Sequence, residues 1–254
     1  MKYLLLIILS VLLLSCKDVK QDVSEEKQTV QSIIDKTIQV SGVAALGESD
    51  LIFTFRDLRY RAIRSHGKFG LIRMITEGEN RTVDSLTNTG FIRRFNYEVV
   101  DVPDSMAVRY SASVNSVHYF SVLPYGLNDT AVNKELLEDV LVKNKTYSTV
   151  KVTFNQNGGG EDFEDVFMYW INKETSKIDY LGYSYNETDG KGIRFREAYN
   201  ERYVEGVRFV DYNNYKPEGA SISLTDLPQV FEKGGLTLLS KIELETITVK
   251  LTQY

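Results

Sequence analysis

The sequence predicts an antiparallel α+β domain, and three observations lead there. Two stretches, near residues 30–38 and 106–117, space their apolar side chains like helices. The rest alternates in short runs bounded by turn residues, giving about five strands before the second helix and about six after it. The connections are short and no strand–helix–strand repeat is visible, so a parallel sheet is not expected.

Val30, Ile33, Ile34 and Ile38 share one helical face, with Gln31, Asp35, Lys36 and Gln39 elsewhere. Ser24, followed by Glu25 and Glu26, marks the expected start, and Gly42 and Gly47 bracket the end. After Gly47 the period becomes two. Leu51, Phe53 and Phe55 alternate with Ile52, Thr54 and Arg56. The phase slips near Asp57, which suggests a bulge or bend in one strand. His66-Gly67-Lys68 turns into a strand over 69–75, and 82–86 pairs with 91–95 across Asn88-Thr89-Gly90. Met106, Tyr110, Val114 and Val117 then define a second helix over 105–120, after Pro103 and stopped by Pro124. It is rich in Ser, Ala and Val, so burial against a sheet has to stabilise it.

From Leu136 onward strand follows strand. Val150, Val152 and Phe154 alternate with Lys151 and Thr153. Residues 166–171 are apolar on both faces, as a central strand requires. Turns fall at Lys173-Glu174-Thr175-Ser176, at Asp189-Gly190-Lys191-Gly192 and at Val204-Glu205-Gly206. The last element, residues 242–251, slips phase between Leu244 and Ile247.

The chain has 254 residues and a net charge of −5. It is long enough to bury a sizeable core without disulfides or metals. The acidic balance gives no electrostatic reason to expect nucleic acid or adhesion to anionic lipid. Lys2, an apolar run over residues 3–14 and the small Ser15 form the pattern of a secretory signal. The run is about a dozen residues, short of the ~20 needed to span a bilayer. The only cysteine, Cys16, follows directly, with none to pair with it.

Leu13-Leu14-Ser15-Cys16 resembles the lipobox of bacterial lipoproteins, although Leu14 stands where a smaller residue is more usual. The resemblance implies that residues 1–15 are a signal peptide. It also implies that Cys16 carries acyl chains such as palmitate and becomes the first mature residue. Two or more chains give a stable membrane anchor. Residues 16–28 are polar and read as a flexible tether reaching roughly 40 Å when extended. Residues 29–254 form a single domain. Lys17-Asp18 is similar to the charged export signals of surface lipoproteins in Bacteroidota-type bacteria. The expected location is the cell envelope, at the outer membrane, with the periplasmic or surface face left open.

Candidate chemistry is sparse. His66 lies in a turn and His118 on the second helix, with no H-x-x-x-H spacing, so no metal site is expected. The expectation is one surface and one partly packed histidine. Glu161, Asp162, Glu164 and Asp165 supply oxygen ligands of the kind calcium takes but lack the EF-hand spacing; a solvated hairpin tip is expected. There is no G-x-S-x-G elbow or P-loop, and no cofactor is expected. Paired carboxylates of a glycan hydrolase stay open as an alternative, because their separation in space cannot be read from the chain.

The element order resembles the Lol-type lipoprotein carriers. The matching features are the helix over 30–40 ending at Ser41-Gly42, the aromatic strand over 51–60, the helix after Pro103, and hairpins such as 167–185. The pattern also looks like a group of lipoproteins from flavobacterium-like organisms. The resemblance covers most of residues 29–254 and is one of pattern, without a diagnostic motif or identifiable transfer residues. It implies an open half-barrel: a curved antiparallel sheet of about eleven strands with two helices on its concave face. It further implies a lipid-like ligand held between sheet and helices. Candidate lining residues are Phe53, Phe55, Met74, Val152, Phe154, Met168 and Trp170, which serve a packed core equally well. The expected protein is a monomer attached to a membrane through its acyl chains. A non-catalytic interaction module is a further alternative and would show a flat exposed apolar patch.

Overall fold

A computed structural model of the chain describes residues 28–158, 163–187, 190–218 and 222–252. Cys16 and the tether up to residue 27, with Ser24, and also Glu161, Asp162 and Asp189 lie outside them.

The first helix, α1 (Val30–Ser41), starts at Thr29, whose hydroxyl accepts from the Ser32 amide at 3.1 Å. It ends at Gly42, which is left-handed at φ 65°. Gly42 is required twice over. A side chain there would strain the backbone, and its Cβ would stand 2.1 Å from the carbonyl oxygen of Gly206.

A seven-stranded antiparallel sheet follows. Its first six members in chain order are β1 (Ser49–Phe55), β2 (Leu58–Ser65), β3 (Lys68–Glu77), β4 (Asn80–Thr87), β5 (Gly90–Phe95) and β6 (Glu98–Val100), and the seventh is the last strand of the chain. The phase slip at Asp57 is a hairpin, not a bulge. Phe55 pairs with Leu58, and Arg56 and Asp57 both take positive φ, the backbone of a two-residue turn that matches strand twist.

The second helix, α2 (Asp104–Ser121), leads into β7 (Val132–Leu136), β8 (Val140–Val142), β9 (Lys145–Phe154), β10 (Val166–Asn172), β11 (Ile178–Glu187), β12 (Gly190–Val204) and β13 (Val207–Pro217). A short helix, α3 (Leu227–Glu232), precedes β14 (Leu236–Ile242) and β15 (Glu245–Leu251). The second sheet runs β14-β13-β12-β11-β10-β9-β7, with β8 also on β9. The first runs β15-β1-β2-β3-β4-β5-β6. Neither path closes, so the fold is the expected open α+β half-barrel. It has fifteen strands among the described residues, because short edge strands and two phase slips hid several.

The second slip is where the chain leaves one sheet for the other, between Ile242 and Glu245. A buried carboxylate fixes this crossing. Asp211 accepts from the Leu244 amide at 2.9 Å and pairs with Arg202 at 2.9 Å. Arg202 in turn donates to the Leu244 carbonyl at 2.6 Å. The orphan backbone groups at the crossing are thereby satisfied. A register shift in β12 between Tyr199 and Arg202 accompanies the arrangement.

Three apolar clusters form the core. Ile33 and Ile34 of α1 pack on Val150, Val152, Tyr169 and Leu181 of the second sheet. Val114 of α2 packs with Leu51, Phe53, Tyr60 and Phe209. These two clusters occupy the inner face, with α1 and α2. The third lies on the outer face of the second sheet, where α3 covers Met168, Trp170, Tyr180 and Phe195. Among the described residues no helix is long and apolar enough to cross a membrane.

Candidate functional site

The site follows from the composition of α2. Its buried stripe is Ser111, Val114, His118 and Ser121, displaced from the stripe that Met106, Tyr110, Val114 and Val117 suggested. Three of these four are polar, so the helix cannot be held by apolar burial alone. A carboxylate network helps to dock it. Asp84 on β4 is fully buried and takes Arg73 at 2.7 Å and Arg93 at 2.6 Å. Arg73 also donates to Ser113 on α2 at 2.8 Å, and Arg93 lies 3.6 Å over the Tyr110 ring.

Small side chains on the flanks of the same helix leave space beside it. One chamber of about 650 Å³ opens between Ser113 and Ser116 of α2 and the rings of Phe154, Phe167, Tyr183 and Tyr185. Another of about 750 Å³ lies on the other flank, walled by Leu71, Leu86, Val122 and Tyr125. Ala112, Asn115, Tyr119 and Phe154 line both. Each chamber falls within the ~300–1,000 Å³ usual for ligand pockets. A void of about 70 Å³ beside Phe55, Val117, Phe120 and Leu244 fills out the base of α2.

The walls are aromatic, with a few buried polar groups. Tyr119 and Tyr169 share a hydroxyl–hydroxyl hydrogen bond, and burial raises both phenols above their ordinary range. His118 is 1 % exposed, edge-on to the stacked pair Phe53 and Tyr60. Its Nε2 lies 3.2 Å from the Ile72 carbonyl, so Nε2 carries the proton and Nδ1 is left without a partner. Burial holds its pKa down to about 3, with the nearby Arg64 charge acting in the same direction.

Two arginines face the chambers. Arg64 continues the inward stripe Tyr60, Ala62, Arg64 of β2 and is 8 % exposed. Its guanidinium sits 4.7 Å from the Tyr125 ring, Nη1 has no hydrogen-bond partner, and burial lowers its proton affinity. Arg196 on β12 lies 3.9 Å over Phe120 and donates to the Tyr183 hydroxyl at 2.7 Å. Acidic side chains are divided: Asp129 lines one chamber, and Glu164 and Asp165 line the other. Burial raises the Asp129 carboxyl, opposed by Lys134. Among the described residues no group of three or more His, Cys, Asp or Glu is placed to hold a metal ion.

The candidate lining residues divide sharply. Phe154 borders both chambers and Phe55 borders the small void. Phe53 and Val152 are fully buried on the inner face, in the packed clusters. Three candidates face the other way, which corrects the expectation for them. Met168 and Trp170 alternate with the inward Phe167, Tyr169 and Ile171, so they pack under α3. Met74 alternates with the inward Leu71 and Arg73 and lies 3.2 Å from Arg81 on the outside of the sheet. A strand that is apolar on both faces carries no signal of which face meets a ligand. Sequence reasoning missed Arg64 and Arg196. The available signal was a cation at a position whose period-two partners are apolar, as in Tyr60-Arg61-Ala62-Ile63-Arg64.

Fold and site together define an open antiparallel half-barrel with an aromatic cleft around a central helix. Residues 2–244 match a family of unknown function (DUF6503), and the chain belongs to that family. No curated protein sequence matches it. Among solved structures it is similar to a DUF1329 family protein from Desulfovibrio piger, at 8% identity over 89% of this chain and 95% of that chain, with a TM-score of 0.47. It is also similar to a LolA superfamily protein from Nitrosomonas europaea, at 12% identity over 89% and 95%, with a TM-score of 0.46.

Proposed function

We propose that this is a lipid-anchored envelope protein that holds an apolar or amphipathic, lipid-like ligand in the cleft around α2. The observation that carries the reading is the pair of aromatic-walled chambers, about 650 and 750 Å³, meeting at Tyr119 and Phe154. Both are clefts open on one side, and concave, largely aromatic-walled space of this size is the usual form of a ligand site. Space walled by rings on both flanks of one helix is a site for something. The lipobox-like segment ending at Cys16 supports placement at a membrane, where such ligands are found.

The test uses the chain from residue 16 onward with Cys16→Ser. The core clusters run from Ile33 to Val249, well clear of that position. Native mass spectrometry is expected to show a co-purifying species of lipid mass. After delipidation, N-phenylnaphthylamine is expected to bind with enhanced fluorescence. Ala112→Trp places a bulky ring between both chambers and is expected to abolish that uptake. Failure of the unsubstituted chain to take up either ligand or dye would refute the reading.

A further inference from the structure

We propose that the ligand is an anionic amphiphile, a single-chain lipid with a carboxylate or phosphate head, and that Arg64 receives the head; this rests on the cleft being a ligand site. The argument begins with the cost of burying a guanidinium. A cation taken out of water is compensated by an anion or by a full set of acceptors. Two of the other three buried arginines meet that requirement with a carboxylate, while Arg196 on the second chamber is held by the Tyr183 hydroxyl and by rings, with its Nε unpartnered. Arg73 shares Asp84, and Arg208 pairs with Glu201 at 2.8 Å. Arg64 is as deeply buried, and its partner is an aromatic ring, with Nη1 unsatisfied.

Position gives that vacancy its meaning. Arg64 lines the larger chamber, and Lys68 is a second cation on its wall. An oxyanion entering this chamber would supply the missing acceptor in a low-dielectric setting, where a charge-assisted bond is strong. Asp129 lines the same chamber, yet among the described residues it makes no ion pair with Arg64. The walls beyond the cation are Phe69, Leu71, Leu86, Val122 and Phe154. They suit a hydrocarbon tail, which can continue past Phe154 into the second chamber. A small inorganic anion would leave this surface uncovered.

The experiment compares two fluorescent probes that differ only in charge, cis-parinaric acid and its methyl ester, on the chain from residue 16 with Cys16→Ser. The acid is expected to bind at least tenfold tighter than the ester. Arg64→Gln is expected to lose at least tenfold for the acid and to leave the ester unchanged. Lysophosphatidic acid is expected to displace the acid, and millimolar inorganic phosphate is not. Equal binding of acid and ester to the unsubstituted chain would overturn the inference while leaving the cleft reading intact. That comparison decides even where Arg64→Gln fails to fold. Full displacement by inorganic phosphate would overturn the amphiphile in favour of a free-anion site. No binding of either probe would overturn the cleft reading, and this inference with it.

Discussion

His118 shows what one buried side chain does to stability. It packs edge-on against Phe53 and Tyr60, donates to a backbone carbonyl and stays neutral, with a folded-state pKa of about 3 against an ordinary 6.5. The unfolded chain binds a proton below about pH 6.5 that the folded chain refuses until about pH 3. Stability therefore falls as pH drops through that window, with a slope of up to ~1.4 kcal/mol per pH unit. At pH 5 the loss from this residue is about 2 kcal/mol. His118→Gln keeps an amide donor for the Ile72 carbonyl and removes the titration. Urea unfolding at pH 7.5 and pH 5 should show the variant losing about 2 kcal/mol less than the parent over that interval. Parallel losses would mean that His118 is not the source, since the carboxylates are common to both chains.

At the scale of elements, the crossing from β14 to β15 joins the two sheets, and Asp211 is its pin. The carboxylate is 2 % exposed and serves Arg202, Asn200 and the Leu244 amide together. Asp211→Ala leaves the partly buried Arg202 without its counter-ion and the buried Leu244 amide without its acceptor, which costs about 3–5 kcal/mol. The expected readout is a lowered urea midpoint, with amides of β15 exchanging faster than those of β10. A midpoint unchanged from the parent would show that the crossing is held by packing alone. The sequence made both phase slips visible, at Asp57 and near Leu244. It could not say that one was a tight turn and the other a change of sheet, because a slip in period two looks the same in either case. Both long helices were legible from their periodicity. The boundary at Thr29 was not, since Ser24-Glu25-Glu26 offers the same capping chemistry. The short α3 was missed because six residues with a proline in the first turn carry no helical period. Of the cleft, Phe154 was legible and Met168, Trp170 and Met74 were assigned to the wrong face. The small side chains Ala112, Ser113, Asn115 and Ser116 of α2 border the space, and a run of Ser, Ala and Asn reads from sequence only as poor helix propensity.

At the scale of the whole molecule, the body and its attachment are separable. The clusters that hold the sheets together are contributed by residues between Ile33 and Val249. Attachment, on the reading proposed here, rests on the thiol of Cys16, the only cysteine in the chain. Each buried CH₂ of an acyl chain contributes ~0.8 kcal/mol, so two or three chains outweigh anything the acidic surface of the body contributes to membrane binding. Cys16→Ser should therefore leave the melting temperature of the body unchanged and abolish acyl-dependent attachment. Labelling cells with a radioactive fatty acid, followed by membrane fractionation, reads both effects. Label and membrane recovery in the parent alone are the expected result, and equal label in both chains would refute the anchor. Protease shaving of intact cells then separates the two faces. Loss of the body would place it outside, in line with an export role for Lys17-Asp18. Protection would place it toward the periplasm, with a tether of roughly 40 Å setting how far from the lipid surface the cleft can work.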